Sequence, residues 1–475
     1  MPYNKTYNIM TVWTKDELIS ALSEEILEHN LRADFEIDEV VIDSRKKPKS
    51  GLFIAIKGEN NDAHDFIEQA FKNGCRVALI QDQTKIPSHE FILVKNSIIA
   101  LYKLAKYSRN RSKAKIIAIT GSVGKTSTKE MLKLVFDSQG KTFATHGNLN
   151  NHIGLPLSLA NFSSNCDYGI FEMGMNHLGE INPLSKLTKP HLAIITNVGP
   201  VHIEFFKNEE EIALAKSEIF SGLVNSGSIL INQDSTHLKF LKKRADFYNI
   251  KNIFSFGKND ASSNYHLNSF RINSANNSTA EVTLRNHMKI SYEINTSNPA
   301  IIFNSIIAIA ALDLIGHDLP KGIKTLENIE NPAGRGKIQE IKIDTKTITI
   351  IDDSYNASAP SMHAGLEHAT NLKKILGKKR VVVALGDMLE LGEKSVELHN
   401  QIIDYLEKFH VDFAILVGKN MIEAAKNLSI PYKTFLDSSL ASQEIENFLN
   451  DGDILYIKGS RGMKMEKIIQ KYSAK

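Results

Sequence analysis

The segment TGSVGKTST, residues 120–128, has the composition of a phosphate cradle. Gly121 and Gly124 let the backbone around Ser122 and Val123 turn its N–H groups toward anionic oxygens, and a helix opening at the lysine adds its positive end. In that arrangement Lys125 neutralises the outer phosphates, Thr126 offers a hydroxyl to magnesium, and Ser127 stands beside it in the first helical turn. The usual GxxxxGK[ST] spacing would put glycine at 119, where this chain has Ile119, so the strict motif is missed by one position. The chemistry these residues point to is handling of an ATP-type nucleotide.

Other reactive side chains follow strand-like runs: Glu172 comes after DYGIF, and His202 after IITNVGPV. A carboxylate, an imidazole and the Thr126 hydroxyl can converge on the C-terminal edge of a sheet, where a magnesium nucleotide would sit. Taken singly, each is more often an ordinary solvated or hydrogen-bonded side chain, and only the position relative to the phosphate loop puts the two readings level. Lys216 lies in EEEIALAKSEIFSGL among Ile212, Leu214, Ala215, Ile219 and Phe220. By itself such a lysine snorkels, its stem on apolar surface and its ammonium in water. Arg335, between two glycines of NPAGRGK, either meets phosphate or makes an inter-domain ion pair. Arg461, in KGSRGMKMEKII, either takes a carboxylate or phosphate at a strand–glycine–helix junction or is a surface arginine beside a turn. GNLNNHIG, with Asn148, Asn150 and Asn151, and IDDSYNASAPSM, with Asp353, Tyr355 and Asn356, are loops able to read bases, sugars or peptide carbonyls. They also have ordinary turn composition.

The elements that must position these groups read as α/β throughout. At roughly 150 residues per domain, 475 residues correspond to about three domains. In residues 1–112, EIDEVVIDSR, GLFIAIKG and CRVALIQD read as strands and HDFIEQAFKNG as a helix stopped by glycine, and the unit ends on a helix followed by a basic, polar linker. Residues 113–330 place KIIAIT, CDYGIFEMG, HLAIITNVG and GSILINQD between helical segments, the pattern of a mostly parallel sheet covered on both faces. The Asn- and Ser-rich stretch 259–293 reads as edge strands and loops before an apolar helix at 300–315. NPAGRGK is a hinge into residues 331–475, where KTITIIDDSYN, RVVVALGDM, VDFAILVGKN and DILYIKGSRG each run an apolar strand into a polar or glycine turn. Such a sheet takes its ligands beyond the strand C-termini.

Composition narrows the function classes. Fifty-seven Lys and Arg against 54 Asp and Glu leave a formal charge of +3, with both signs mixed along the chain, so nothing calls for a nucleic-acid partner. The longest near-apolar run, 301–316, carries Asn304, Ser305 and Asp313 and is too short to span a bilayer. The N-terminus lacks the basic, apolar and small-residue order of a secretion signal. Two cysteines, Cys75 and Cys166, build neither a disulfide framework nor a thiolate metal cage.

The motifs taken together do more. ITGSVGKTSTKEML, THGNLNNHIGLPLSL, FEMGMNHLGEI, ITNVGPVHIEFF, ALAKSEIFSGL, NPAGRG, DDSYNASAPSM, ALGDMLELGEKS and KGSRGMKMEKI closely resemble the Mur ligase family, in family order and across all three units. DSR, GLFIAIKG and NDAHDF resemble its first domain. The resemblance implies a three-domain architecture: a small N-terminal α/β domain for the UDP-sugar, a central P-loop ATPase-like domain, and a C-terminal Rossmann-like domain that closes on the nucleotide and delivers the amine.

It implies ATP and Mg²⁺ as cofactors, with UDP-N-acetylmuramoyl-tripeptide and D-alanyl-D-alanine as substrates. The tripeptide carboxylate would be activated as an acyl phosphate and attacked by the dipeptide amine, in the bacterial cytoplasm and within one chain that needs no partner. By the same resemblance Lys125 neutralises phosphate, Thr126 holds the first magnesium, Glu172 is a magnesium-binding glutamate, and His202 and a carbamylated Lys216 hold the second magnesium, reversing the snorkelling reading. Asn304 matches the adenine-contacting asparagine of a His-Asn-x-x-Asn pattern whose earlier positions here are Ala300 and Ile301, which implies a less polar adenine pocket. Arg335 matches a hinge arginine on the ATP phosphates, and Asp353, Tyr355 and Asn356 the nucleotide-side loop. Ser44 and Arg45 match the UDP-sugar side, joined there by His64 in Asp62-Ala63-His64-Asp65, where the family often has glycine second. Asn148, Asn150, Asn151 and Arg461 are expected on the substrate. The rival readings are another muramyl-peptide or folyl-polyglutamate ligase and, in a different class, an ATP-gated binding protein that ligates nothing.

Overall fold

Near-continuous apolar strands need cover on both faces, and the chain provides it three times in succession. The computed structural model describes residues 11–470 and 472, so the first half of the N-terminal stretch read for a secretion signal lies outside the described residues. Among the described residues no helix is long and apolar enough to cross a membrane.

The first sheet runs, in spatial order, Ile26–His29, Phe91–Val94, Cys75–Ile80, Gly51–Ile54 and Glu39–Val41, with only the first pairing antiparallel. The single strand expected over 36–45 divides at Asp38. Glu36–Ile37 pairs with Trp13–Thr14, whereas Glu39–Val41 joins the parallel sheet. The Asp38 carboxylate accepts from the backbone N–H groups of Lys49 and Ser50 at 3.0 and 3.1 Å, pinning the chain where it changes ladder. The helix expected over 64–74 opens as a 3-10 turn, Ala63–Phe66, continues as Ile67–Lys72, and is followed by Gly74 at φ 107°.

The basic segment read as a linker is instead structural. Arg109, buried at the end of helix Ser97–Arg111, donates to the carbonyls of Thr188 and Lys189 at 2.5 and 3.0 Å. Arg111 stacks 4.4 Å above the Trp13 ring and pairs with Glu17 at 2.7 Å. Guanidinium donors suit this place because the C-terminal carbonyls of one helix and a buried aromatic face meet there. Trp13 donates its indole N–H to the Ala160 carbonyl at 2.8 Å, and the Asn161 amide brackets Val40 by accepting from its N–H and donating to its carbonyl. The first unit is thereby fastened to the second.

The second sheet has nine strands. Strand Lys115–Thr120 lies between Leu192–Ile195 and Tyr168–Glu172, parallel to both, and the chain passes from one side of it to the other. That reversal of strand order opens a crevice at the C-terminal edge, and the TGSVGKT turn stands at it. The polar stretch 259–293 forms the antiparallel strands Tyr265–Ser274, Asn277–Thr283 and Lys289–Ile294 along one edge. Their inward residues Leu267, Ala280, Val282 and Tyr292 pack with helix Pro299–Ile315, which is buried on nearly every side.

The third sheet is parallel except for its edge strand Lys337–Ile343, and orders Lys346–Asp353, Ile454–Lys458, Val381–Gly386, Phe413–Val417 and Tyr432–Phe435. The Pro- and Gly-rich hinge is tied to it. Gly334 N–H donates to the Asp352 carboxylate at 2.9 Å, Gly336 N–H to the Asp352 carbonyl at 2.7 Å, and Tyr355 N–H to the Gly334 carbonyl at 3.1 Å.

Candidate functional site

Strand Lys115–Thr120 ends in a turn that only glycine allows at two positions. A side-chain carbon on Gly121 would run into the Thr196 hydroxyl, and one on Gly124, at φ 83°, would lie 2.9 Å from Asn304 Nδ2. Ile119, standing where the strict motif has glycine, is buried in the sheet opposite Glu172, and the strand continues through Thr120 so that the turn begins at Gly121. The turn is braced from strand Leu192–Ile195 and the loop after it. Ser122 N–H donates to the Asn197 carbonyl, Val123 N–H to Asn197 Oδ1 at 2.9 Å, and Thr196 Oγ1 to the Val123 carbonyl at 2.6 Å. Helix Lys125–Asp137 follows directly, leaving the N–H groups of its first turn for an anion. The Lys125 ammonium folds over the turn and donates to the Gly121 carbonyl at 2.6 Å. Burial, reinforced by the Arg335 charge and opposed by Glu172, lowers its pKa below the ordinary lysine value.

Thr126, Glu172, Asn150 and Arg335 meet at one point. Thr126 Oγ1 lies 3.3 Å from Glu172 Oε1, which also accepts from Asn150 Nδ2 at 2.8 Å, and Arg335 Nη2 donates to Thr126 Oγ1 at 3.3 Å. Glu172 is 1% exposed, and its Oε2 makes no hydrogen bond among the described residues. A buried carboxylate oxygen without a donor, beside a hydroxyl and a phosphate cradle, fits a hard cation. Among the described residues no cluster of three or more His, Cys, Asp or Glu could hold a metal by itself. A magnesium ion here would therefore complete its shell with phosphate and water oxygens, as that ion ordinarily does.

These groups line a cleft of about 650 Å³ between the second and third units, together with Ser122, Val123, Ser127, Asn148, Asn151, His202, Lys216 and Asn304. Lys216 corrects the reading from its helix alone. It is 3% exposed in helix Glu209–Ser217, and no hydrogen bond or ion pair to its ammonium forms among the described residues. Burial, and then the neighbouring Lys125 charge, push its pKa well below the usual lysine range. His202 takes a left-handed backbone at φ 60° and pairs through Nδ1 with Glu390 of the third unit. Burial lowers the His202 pKa, and the Glu390 carboxylate opposes that shift.

The third unit adds its own set. Arg335 lies 4.1 Å over the Tyr355 ring and Arg461 5.3 Å from it. Asp353 accepts from Lys458 Nζ at 2.6 Å and from the Tyr456 hydroxyl at 3.2 Å, while Lys458 also donates to the Asn356 carbonyl. Burial raises the Asp353 pKa, and Lys458 works against it. Arg461 is exposed, paired with Glu466 at 3.0 Å, and does not line the cleft.

The first-unit residues stand apart from the cleft. Ser44 donates to Gln69 at 3.0 Å. Arg45 is exposed and pairs with Asp43, whose carboxyl its hydrogen bonds hold down at about 2. His64 is buried with both ring nitrogens taken, Nδ1 by Asp62 at 2.6 Å and Nε2 by the Gln81 N–H at 3.1 Å.

Sequence reasoning missed Lys458, Lys129 and Glu390. A lysine inside the apolar strand run ILYIKG was the available signal for Lys458. Lys129 is fully buried, donates to the Thr145 carbonyl at 2.6 Å and pairs with Glu130 at 2.9 Å, while Thr145 Oγ1 accepts from Glu172 N–H. It thus ties the helix after the phosphate turn to the loop carrying Asn148, Asn150 and Asn151. Lys129→Met is expected to strand that carbonyl and destabilise the protein by roughly 1–3 kcal/mol, read as a lower urea midpoint for the second unit.

Three family models match in chain order. Mur ligase family, catalytic domain, covers residues 36–116; Mur ligase middle domain, residues 119–312; and Mur ligase, glutamate ligase domain, residues 337–461. A UDP-N-acetylmuramoyl-tripeptide--D-alanyl-D-alanine ligase of Rickettsia prowazekii is 35% identical over 474 residues, covering 97% of this chain and 100% of the relative. The chain belongs to the Mur ligase family. Among solved Mur ligases, MurF from Acinetobacter baumannii superposes with a TM-score of 0.83 at 27% identity, covering 98% of this chain and 99% of that one. MurF from Thermotoga maritima, solved in complex with ADP, gives 0.77 at 26% identity, covering 91% and 96%. Membership of the Mur ligase family makes this an ATP-dependent amide-forming ligase, and use of ATP with magnesium accords with the cradle and the orphaned Glu172 oxygen.

Proposed function

We propose that this chain joins D-alanyl-D-alanine to UDP-N-acetylmuramoyl-tripeptide, yielding UDP-N-acetylmuramoyl-pentapeptide, ADP and phosphate in the bacterial cytoplasm. The observation that carries this reading is the 35% identity over 97% of the chain to a relative named for that reaction. The three units divide the work: residues 1–112 take the UDP-sugar, 113–330 the nucleotide and cations, and 331–475 close on the nucleotide and deliver the dipeptide, as a single chain.

A free carboxylate is a poor acyl donor. The γ-phosphoryl group passes to the tripeptide carboxylate, giving an acyl phosphate and ADP. The dipeptide amine attacks the acyl carbon, loses a proton, and phosphate leaves from the tetrahedral intermediate. Lys125 and the first-turn N–H groups hold the outer phosphates, and Arg335 sits where charge develops as they transfer. Asn304, packed on Gly124, places the adenine, with Ala300, Ile301 and Phe303 supplying an apolar wall. Asp353, Tyr355 and Asn356 form the nucleotide side of the third unit, fastened by Lys458. Thr126 and Glu172 would hold one magnesium, and His202 with a carbamate on Lys216 a second; bound cations would neutralise the transferring phosphoryl oxygens. Asn148, Asn150, Asn151 and Arg461 are assigned to the peptide substrates, and Ser44, Arg45 and His64 to the UDP-sugar side, with His64 bracing its loop.

The test offers ATP, UDP-N-acetylmuramoyl-tripeptide and either D-alanyl-D-alanine or glutamate to the purified protein. ADP and pentapeptide are expected with the dipeptide. ADP formed only with glutamate overturns the proposal. Tripeptides ending in meso-diaminopimelate and in L-lysine, run side by side, identify the preferred third residue.

A further inference from the structure

His202 and Glu390 lie 188 residues apart, in different units, and meet in a direct side-chain contact beside the cleft that His202 lines. Both adopt a left-handed backbone, φ 60° and 61°, although neither is glycine. Such conformations cost free energy for ordinary side chains and persist only where the surroundings hold them. The loops also approach closely. Gly392 is left-handed at φ 54°, and a side-chain carbon there would come within 3.0 Å of Glu204 Cβ.

The contact between the loops is specific to one ring nitrogen. His202 Nδ1 is paired with Glu390 Oε2, while Nε2 makes no hydrogen bond among the described residues. The ring lines the same cleft as Lys216, Lys125 and Glu172. A carboxylate accepting from Nδ1–H fixes the neutral imidazole in the tautomer whose Nε2 carries the lone pair. That is how a metal-binding histidine is ordinarily oriented, and the partner is usually supplied from close by. Here the carboxylate comes from the third unit.

We propose that Glu390 is the positioning residue for His202: the third unit, on closing, supplies the carboxylate that sets the ring's tautomer and aims Nε2 at the second cation. The inference rests on the reading of His202 as a ligand of that cation. It makes one cation site complete only in the closed arrangement, whereas the Thr126–Glu172 site is assembled wholly within the second unit.

The experiment titrates Mn²⁺ into the full-length protein with ADP present, followed by electron paramagnetic resonance, for wild type, His202→Ala, Glu390→Ala and Glu390→Gln. Glu390 is 45% exposed, so its substitutions remove no buried packing. The wild type is expected to bind two ions and His202→Ala to lose the weaker one. Glu390→Ala should weaken that same ion by about 10–100-fold while leaving the tighter one unchanged. Glu390→Gln should fall between, because its amide oxygen still accepts from Nδ1–H but carries no charge. Ring ¹⁵N shifts of labelled histidine, measured without metal, should show His202 protonated on Nδ1 in the wild type and no longer uniformly so in Glu390→Ala. Undiminished weak-site affinity in Glu390→Ala, with His202→Ala still losing that ion, overturns this inference alone; so does equal weakening of both ions. Two ions bound normally by His202→Ala removes the underlying reading of the histidine itself.

Discussion

Lys216→Ala is expected to lower kcat by roughly three orders of magnitude and to recover part of it when acetate or another short carboxylate is supplied. The side chain is 3% exposed, has no partner among the described residues, and shares its cleft with Lys125. An unpaired buried ammonium is costly, so the amine is held neutral at pH values where an ordinary lysine is charged. A neutral amine is a nucleophile. On the proposed function its lone pair would add to carbon dioxide and the nitrogen would give up a proton, leaving a carbamate anion beside the Lys125 cation. A short carboxylate in the space left by the deleted side chain offers the same oxygens, which accounts for the expected rescue. Full turnover by Lys216→Ala would remove the carbamate from the mechanism.

The same burial gives a stability signature. Lys216→Met keeps the stem volume and removes the amine, so in bicarbonate-free buffer at neutral pH it is expected to melt about 2–4 °C above wild type while being inactive. The native value lies below the ordinary 10.5, so between the two the unfolded chain binds more protons than the folded one. Wild-type stability therefore rises with pH through that window, and the advantage of Lys216→Met shrinks as pH approaches 10.5. A pH series of thermal melts on both proteins checks the sign.

Lys125→Met is expected to reduce turnover by about 10³-fold or more and to weaken ADP binding measured by calorimetry. The ammonium donates to the turn's own Gly121 carbonyl, so the turn holds a cation over the place where the outer phosphates belong. Lys125→Arg is not expected to restore activity. A planar guanidinium is bulkier than an ammonium, and the turn has little room, since even a methyl group on Gly124 would press on Asn304. Turnover within tenfold of wild type in Lys125→Met would show that the cradle's backbone and the cations carry the phosphate charge without it.

Much of the scaffold was legible because its signals are local. Apolar β-branched runs and glycines at the turns are read from neighbours a few positions away, and they located the strand–turn–helix of the phosphate cradle, the hinge, and the sheet edges that carry Glu172 and Asp353. Where local cues misled, a distant partner was responsible. Asp38 split an apparently continuous strand because Lys49 and Ser50 claimed its carboxylate, and Arg109 and Arg111 looked like linker charge because their acceptors lie on Thr188, Lys189 and the Trp13 ring.

By itself, then, the sequence determined the α/β class, the order of the three units and the phosphate cradle, since periodicity and turn chemistry are properties of short segments. Tertiary structure alone decided that Lys216 is buried and, among the described residues, unpaired rather than snorkelling, that Glu172 keeps an oxygen with no donor among them, and that Glu390 of the third unit meets His202. The physical reason is that desolvation and long-range pairing are set by which surfaces meet, and a helix with one lysine among apolar residues is compatible with either outcome until its neighbours are in place.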